Sequence, residues 1–201
     1  MKTINLLFAA TAAFALTSCG GSEAPVEDTV DEVVIKSMSL DTDASTLSWK
    51  GMKSAEDFHT GNVKFSEGSA EFVDGNFMKG TFVVDMSTIT VMDAEMPDDK
   101  KQYLAGHLSS PDFFNVEEHG AVQVELSQIQ DGKAPATITI MGQSMEQNLP
   151  ISVEMKDGVA HMTGSFDVDF SALGRPGFQP KEGQEEFVQP IISYELNMML
   201  K

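Results

Sequence analysis

The sequence is poor in the groups that make covalent staples, positive surfaces and membrane girdles. A single cysteine, Cys19, among 201 residues excludes an internal disulfide, so the core must hold by burial alone. Only 13 lysines and arginines stand against 31 aspartates and glutamates, a formal net charge of −18. Nucleic acid binding needs Lys and Arg to displace counterions from phosphate, so that class of partner is excluded first. Anionic membrane surfaces are disfavoured for the same reason. One Trp and two Tyr are too few for the aromatic belts of a transmembrane barrel. The nucleophile elbow G-x-S-x-G, a glycine-rich phosphate loop, a dinucleotide fingerprint and the H-E-x-x-H metal spacing are all missing, and His59, His107, His119 and His161 are scattered. Neither a catalytic centre, a cofactor nor a metal is expected. With 41% hydrophobic residues the chain is nevertheless globular in composition, which excludes wholesale disorder.

The first residues bear on the compartment. Lys2 is followed by the apolar run Leu6–Leu16, about 16 Å as a helix and too short for a bilayer core of roughly 30 Å. This is the anatomy of a signal peptide. Leu16-Thr17-Ser18-Cys19 resembles a bacterial lipobox, which implies cleavage after residue 18 and lipidation of Cys19. Several acyl chains on one residue anchor firmly where one chain does not. Gly20 follows where an Asp would suggest inner-membrane retention, so a lipid anchor in the outer membrane of a bacterial envelope is expected, on either face. Gly20–Glu32 is acidic and cannot bury a face, and residues 19–45 read as a self-repelling tether.

From Thr46 onward the dominant period is two, the mark of strands with one dry and one wet face. It runs through Leu47–Gly51, Val63–Phe65, Phe82–Met86, Val122–Leu126, Ile138–Ile140, Ile151–Met155, Ala160–Met162, Phe166–Phe170 and Ile192–Met198. Glu67-Gly68, Asp74-Gly75-Asn76, Asp131-Gly132 and Asp157-Gly158 read as turns between them. Such strands need their edges closed or covered, which predicts a barrel or sandwich. Asp98–Leu108 breaks the pattern: Tyr103, Leu104, His107 and Leu108 fall at helical spacing, as expected of a lid or plug over one barrel end. Phe113-Phe114 follows as an exposed-looking aromatic pair on a turn.

The order of Trp49-Lys50-Gly51, His59-Thr60-Gly61, Gly80–Met86, Gly106-His107-Leu108 and Ser110-Pro111-Asp112-Phe113-Phe114 resembles that of YceI-like proteins, and Gly142 sits at the family's short strand-turn signature. The resemblance covers residues 46–201. It implies an all-β fold, an eight-stranded antiparallel lipocalin-like barrel with one short helix. It also implies an elongated apolar cavity holding a polyisoprenoid or similar long-chain amphiphile. Leu173–Gln189 departs from the family pattern by its many Pro and Gly, which puts one cavity mouth in doubt.

Parity along the strands then nominates the wall: Trp49, Val63 and Phe65 early in the chain, Phe82 and Val84 next, Val124, Ile138 and Ile140 after the helix, and Met162, Phe166, Val168, Tyr194 and Leu196 towards the end. Phe113 and Phe114 are candidates to gate the mouth. Arg175, the only arginine, is the candidate contact for an anionic headgroup. A tethered carrier of a polyisoprenoid or fatty chain is the leading expectation, with a homodimer left open. Its competitors are a hydrolase or isomerase acting on such a lipid through His59, His107 and Asp85, and an envelope structural protein with a filled barrel.

Overall fold

The computed structural model describes residues 33–180 and 187–201. The alternating segments become strands β1 (Ile35–Ser39), β2 (Thr46–Met52), β3 (Phe58–Val73), β4 (Asn76–Val91), β5 (Ala121–Ser127), β6 (Lys133–Ile140), β7 (Gln143–Lys156), β8 (Val159–Asp169) and β9 (Ile191–Leu200). One helix, α1 (Asp98–Ser109), separates β4 from β5. All neighbours pair antiparallel in the order β3-β2-β9-β8-β7-β6-β5-β4, and β4 returns to β3. The expected eight-stranded barrel with a short helix forms, and closure leaves none of those eight strands with a free edge along its whole length. β1 is a ninth strand, laid against the last part of β3 from Ser69 to Val73.

Asp-Gly pairs make three of the tight turns. Asp74 and Gly75 have φ of 49° and 79°, and the pairs at Asp131 and Asp157 repeat this. Two successive positive φ values match the twist of a hairpin, and Gly carries the second at no steric cost. Met141-Gly142 does the same between β6 and β7.

Three expectations need correcting. The folded body starts well before Thr46, because residues 35–39 are strand; Met38 alone in β1 is buried, so edge pairing and not alternation holds it. Glu67-Gly68 is no turn but lies within β3, beside a register shift between Phe65 and Glu67. There the ladder bends without breaking. The runs at 160–162 and 166–170 are one strand up to Asp169, with Gly164 between them. The expected signal peptide, Cys19 and the segment Gly20–Glu32 lie outside the described residues.

The barrel has two unlike ends. At one, the β3–β4 hairpin and β1 bring together Met38, Phe72 and Phe77, all buried. The chain enters here: Val34 and Asp74 exchange hydrogen bonds at the hairpin tip, Val34 N–H donating to Asp74 Oδ1 and Asp74 N–H to the Val34 carbonyl, both at 2.9 Å. Ser45, the buried polar residue of the core, accepts from Met199 N–H at 3.0 Å and ties the β1–β2 connection to β9. The other end carries the β2–β3 loop, α1 and the start of β9.

Candidate functional site

A cavity of about 320 Å³ occupies the barrel interior towards the α1 end. Its wall is the inward face of every barrel strand. Trp49 comes from β2, Val63 and Phe65 from β3, Phe82 and Val84 from β4, and Val124 from β5. Ile138 and Ile140 come from β6, Phe166 and Val168 from β8, and Tyr194 and Leu196 from β9. Period-two alternation therefore placed these residues on the correct face. Met162 is the exception. It points inward, but it is fully buried and lies outside the lining, opposite Met198 in the β8–β9 ladder. Met198, directly opposite, does line the cavity, so Met162 is set apart by how closely it is packed.

The wall carries few polar atoms. Trp49 and Tyr194 face each other directly across β2 and β9. The Trp49 Nε1 is buried with no hydrogen-bond partner, its ring edge pressed on Gly61, where any Cβ would lie 2.5 Å from the indole. Burial pushes the Tyr194 phenol far above its ordinary value, so it stays neutral.

Phe113 and Phe114, expected to be exposed, are 3% and 5% accessible. They anchor an aromatic cap over the cavity that the sequence did not disclose. Phe113 meets Phe178 edge-on with centroids 5.1 Å apart, and Phe114 meets Phe170 at 5.6 Å. His107 of α1 closes on Phe113 at 5.0 Å. Edge-to-face contacts of this kind add about 0.5–1.5 kcal/mol each beyond area burial. Phe178 arrives on a short 3-10 turn, Pro176–Phe178, within the Pro- and Gly-rich segment. Gly177 N–H donates to the Asp112 carbonyl at 2.8 Å, and a Cβ on Gly177 would meet the Phe113 ring at 2.5 Å. Glycine is required there for the loop to lie flat on the ring.

The same turn places Arg175, the candidate contact for a headgroup, beside Phe178. Arg175 caps its N-terminal side while Phe178 fills the inward place, and the Arg175 Nε is buried with no partner. It is not part of the cavity wall.

The half-exposed lining residues Lys53, Asp57 and His59 mark where the cavity reaches the surface. Lys53 and Asp57 pair at 3.3 Å. His59 Nδ1 lies 2.7 Å from Asp93 Oδ2, and Asp93 Oδ1 accepts from Thr60 N–H at 2.8 Å and the Thr60 hydroxyl at 2.9 Å. Partial burial works against the Asp93 charge, but the hydrogen bonds from Thr60 and His59 outweigh it and hold the carboxyl below its ordinary value. Asp85, the carboxylate suggested for a hydrolytic group with the histidines, is elsewhere: its Oδ1 accepts from the backbone and hydroxyl of Ser87. Asp93 is the carboxylate that His59 has, and no spacing rule links positions so far apart in the chain. Among the described residues, no three His, Cys, Asp or Glu side chains cluster to hold a metal.

With this geometry in view, comparison with known proteins settles the family. The YceI-like domain model matches residues 38–197, most of the chain. The chain belongs to the YceI-like domain family. This YceI-like chain is similar in structure to BcnA of Burkholderia cenocepacia, with a TM-score of 0.65 and 15% identity over 80% of this chain and 98% of that one. It is also similar to a domain from Saccharophagus degradans described as polyisoprenoid-binding and implicated in plant cell wall breakdown. There the TM-score is 0.60 and the identity 12%, over 82% and 97% of the two chains. At such identities the likeness concerns the fold. None of the curated proteins matches the chain.

Proposed function

We propose that the protein binds and carries a polyisoprenoid or other long-chain amphiphile in its barrel, tethered to the bacterial envelope through lipid on Cys19. The observation that carries this reading is the cavity itself: about 320 Å³ walled mainly by Phe, Val, Ile and Leu. Empty apolar space inside a closed barrel forfeits dispersion contacts, and a hydrocarbon guest would restore them. Each buried carbon is worth roughly 0.8 kcal/mol, so one isoprene unit contributes about 4 kcal/mol before association costs. Membership of the YceI-like family and the polyisoprenoid-binding neighbour support the choice of guest. The lipobox-like run ending at Cys19 and the Gly after it support attachment to the outer membrane. The chain acts as a binder and not a catalyst in this reading, which membership of the YceI-like family supports.

The deciding experiment is mass spectrometry of organic extracts from protein purified without detergent from its own host. A long-chain lipid present near one equivalent is the expected result. Protein that emerges with an empty cavity, and fails to take up a prenyl chain offered to it, overturns the carrier.

A further inference from the structure

The polar groups at the mouth favour one kind of guest over another, and this inference rests on the carrier reading above. Asp93 is a carboxylate fixed from three directions. Thr60 supplies two donors to Oδ1, and His59 Nδ1 approaches Oδ2 at 2.7 Å. An ionised carboxylate only accepts, so the proton between them belongs to His59 Nδ1. The choice of tautomer follows: in the neutral imidazole the second nitrogen, Nε2, carries a lone pair. No described residue hydrogen-bonds to Nε2, while His59 itself lines the cavity where it opens. The imidazole edge left over is what the site offers to a guest.

The charged neighbours are already engaged. Lys53 is paired with Asp57, and Lys50 Nζ lies over the Phe58 ring, 3.9 Å from its centre. Arg175 stands apart from the wall. At the cavity lining the one lysine, Lys53, is already paired with Asp57, so an anionic headgroup would meet a neutralised cation, whereas a hydroxyl would find an acceptor held in place.

We propose that His59, oriented by Asp93 and Thr60, is the specificity-determining residue of the cavity mouth, and that its Nε2 accepts a hydrogen bond from the terminal hydroxyl of a long-chain alcohol. The guest is thus a free alcohol of the prenol or fatty-alcohol class and not its phosphate ester. Asp93 is a positioning residue: it touches His59 and not the guest.

The test uses the full-length chain and three probes that share one tail: geranylgeraniol, its methyl ether and geranylgeranyl phosphate. Trp49 is the sole tryptophan and lines the cavity, so its fluorescence reports occupancy. The alcohol is expected to bind roughly three- to tenfold more tightly than the ether, the range of one neutral hydrogen bond. His59→Phe removes that preference while leaving the ether in place, and His59→Gln, which keeps an acceptor, restores part of it. Asp93→Asn is the sharper variant. Its amide donates to Nδ1, Nε2 then bears the proton, and the ether should come to equal or exceed the alcohol. A fold-independent ratio is read throughout, so a mere loss of stability moves all three probes together. Equal binding of alcohol and ether in the unaltered chain, tighter binding of the phosphate, or a preference that survives His59→Phe overturns the assignment while leaving the carrier intact. Failure of all three probes to bind overturns the carrier, and this assignment with it.

Discussion

At the hairpin end of the barrel Met38, Phe72, Met162 and Leu200 are each no more than 2% accessible. In the cavity wall Val124, Phe166 and Tyr194 keep accessible surface although strands enclose them. The residue types are much the same, so hydrophobicity does not separate the two halves. What differs is how the ends are stopped. β1 and the extended hairpin push bulky side chains inward at one end, while at the other the aromatic cap of Phe113, Phe114, Phe170 and Phe178 roofs the hollow without filling it. The lesson is that one alternating pattern can build both a core and a container. Which of them results is decided by what covers the ends.

Substitutions can break this contrast. The largest effect is expected in the solid half, where Phe72→Ala leaves a hole that neighbours cannot collapse into. Urea denaturation should show a loss of about 3–5 kcal/mol, with guest binding per folded molecule unchanged. Next comes the roof. Gly177→Ala drives a methyl into the Phe113 ring, and the loop must lift at a cost of about 1–3 kcal/mol. Faster release of a bound prenyl chain should accompany it, measured by stopped-flow Trp49 fluorescence. In the hollow half the sign changes: Val124→Phe fills vacant space, so stability should hold within about 1 kcal/mol or improve, while guest uptake falls. A stability loss like that of Phe72→Ala would show the hollow to be as tightly packed as the hairpin end.

The smallest effect concerns acid. The Asp93 carboxyl ionises more readily in the fold than its ordinary 3.8, so its contribution is complete above that value and is lost as pH falls below it through the depressed folded value. Asp93→Asn should therefore flatten the acid limb of a stability-against-pH curve and leave the neutral limb parallel to that of the parent chain.

The sequence made most of the container legible, because a barrel wall is a strictly local pattern. Trp49, Phe82, Ile138 and Tyr194 declare their face through their neighbours two positions away. β1 was hidden because Ile35–Ser39 buries one side chain only. Met162 has the right parity but is packed solid while Met198 opposite it reaches the cavity, which no alternation reports. Phe113 and Phe114 looked exposed because a turn normally is; their burial depends on Phe178, far along the chain in a segment that looked like a loop. The pairing of His59 with Asp93 was equally invisible, since it arises only when β3 and the end of β4 lie side by side.

The position at which the chain enters the barrel has a consequence for substitutions. Val33 and Val34 sit at the tip of the β3–β4 hairpin, and the opening near His59 lies at the other end of a sixteen-residue strand, a span of at most roughly 50 Å. The end at which the described chain begins and the end that opens are thus as far apart as the barrel allows, so a change at one leaves the other's lining untouched.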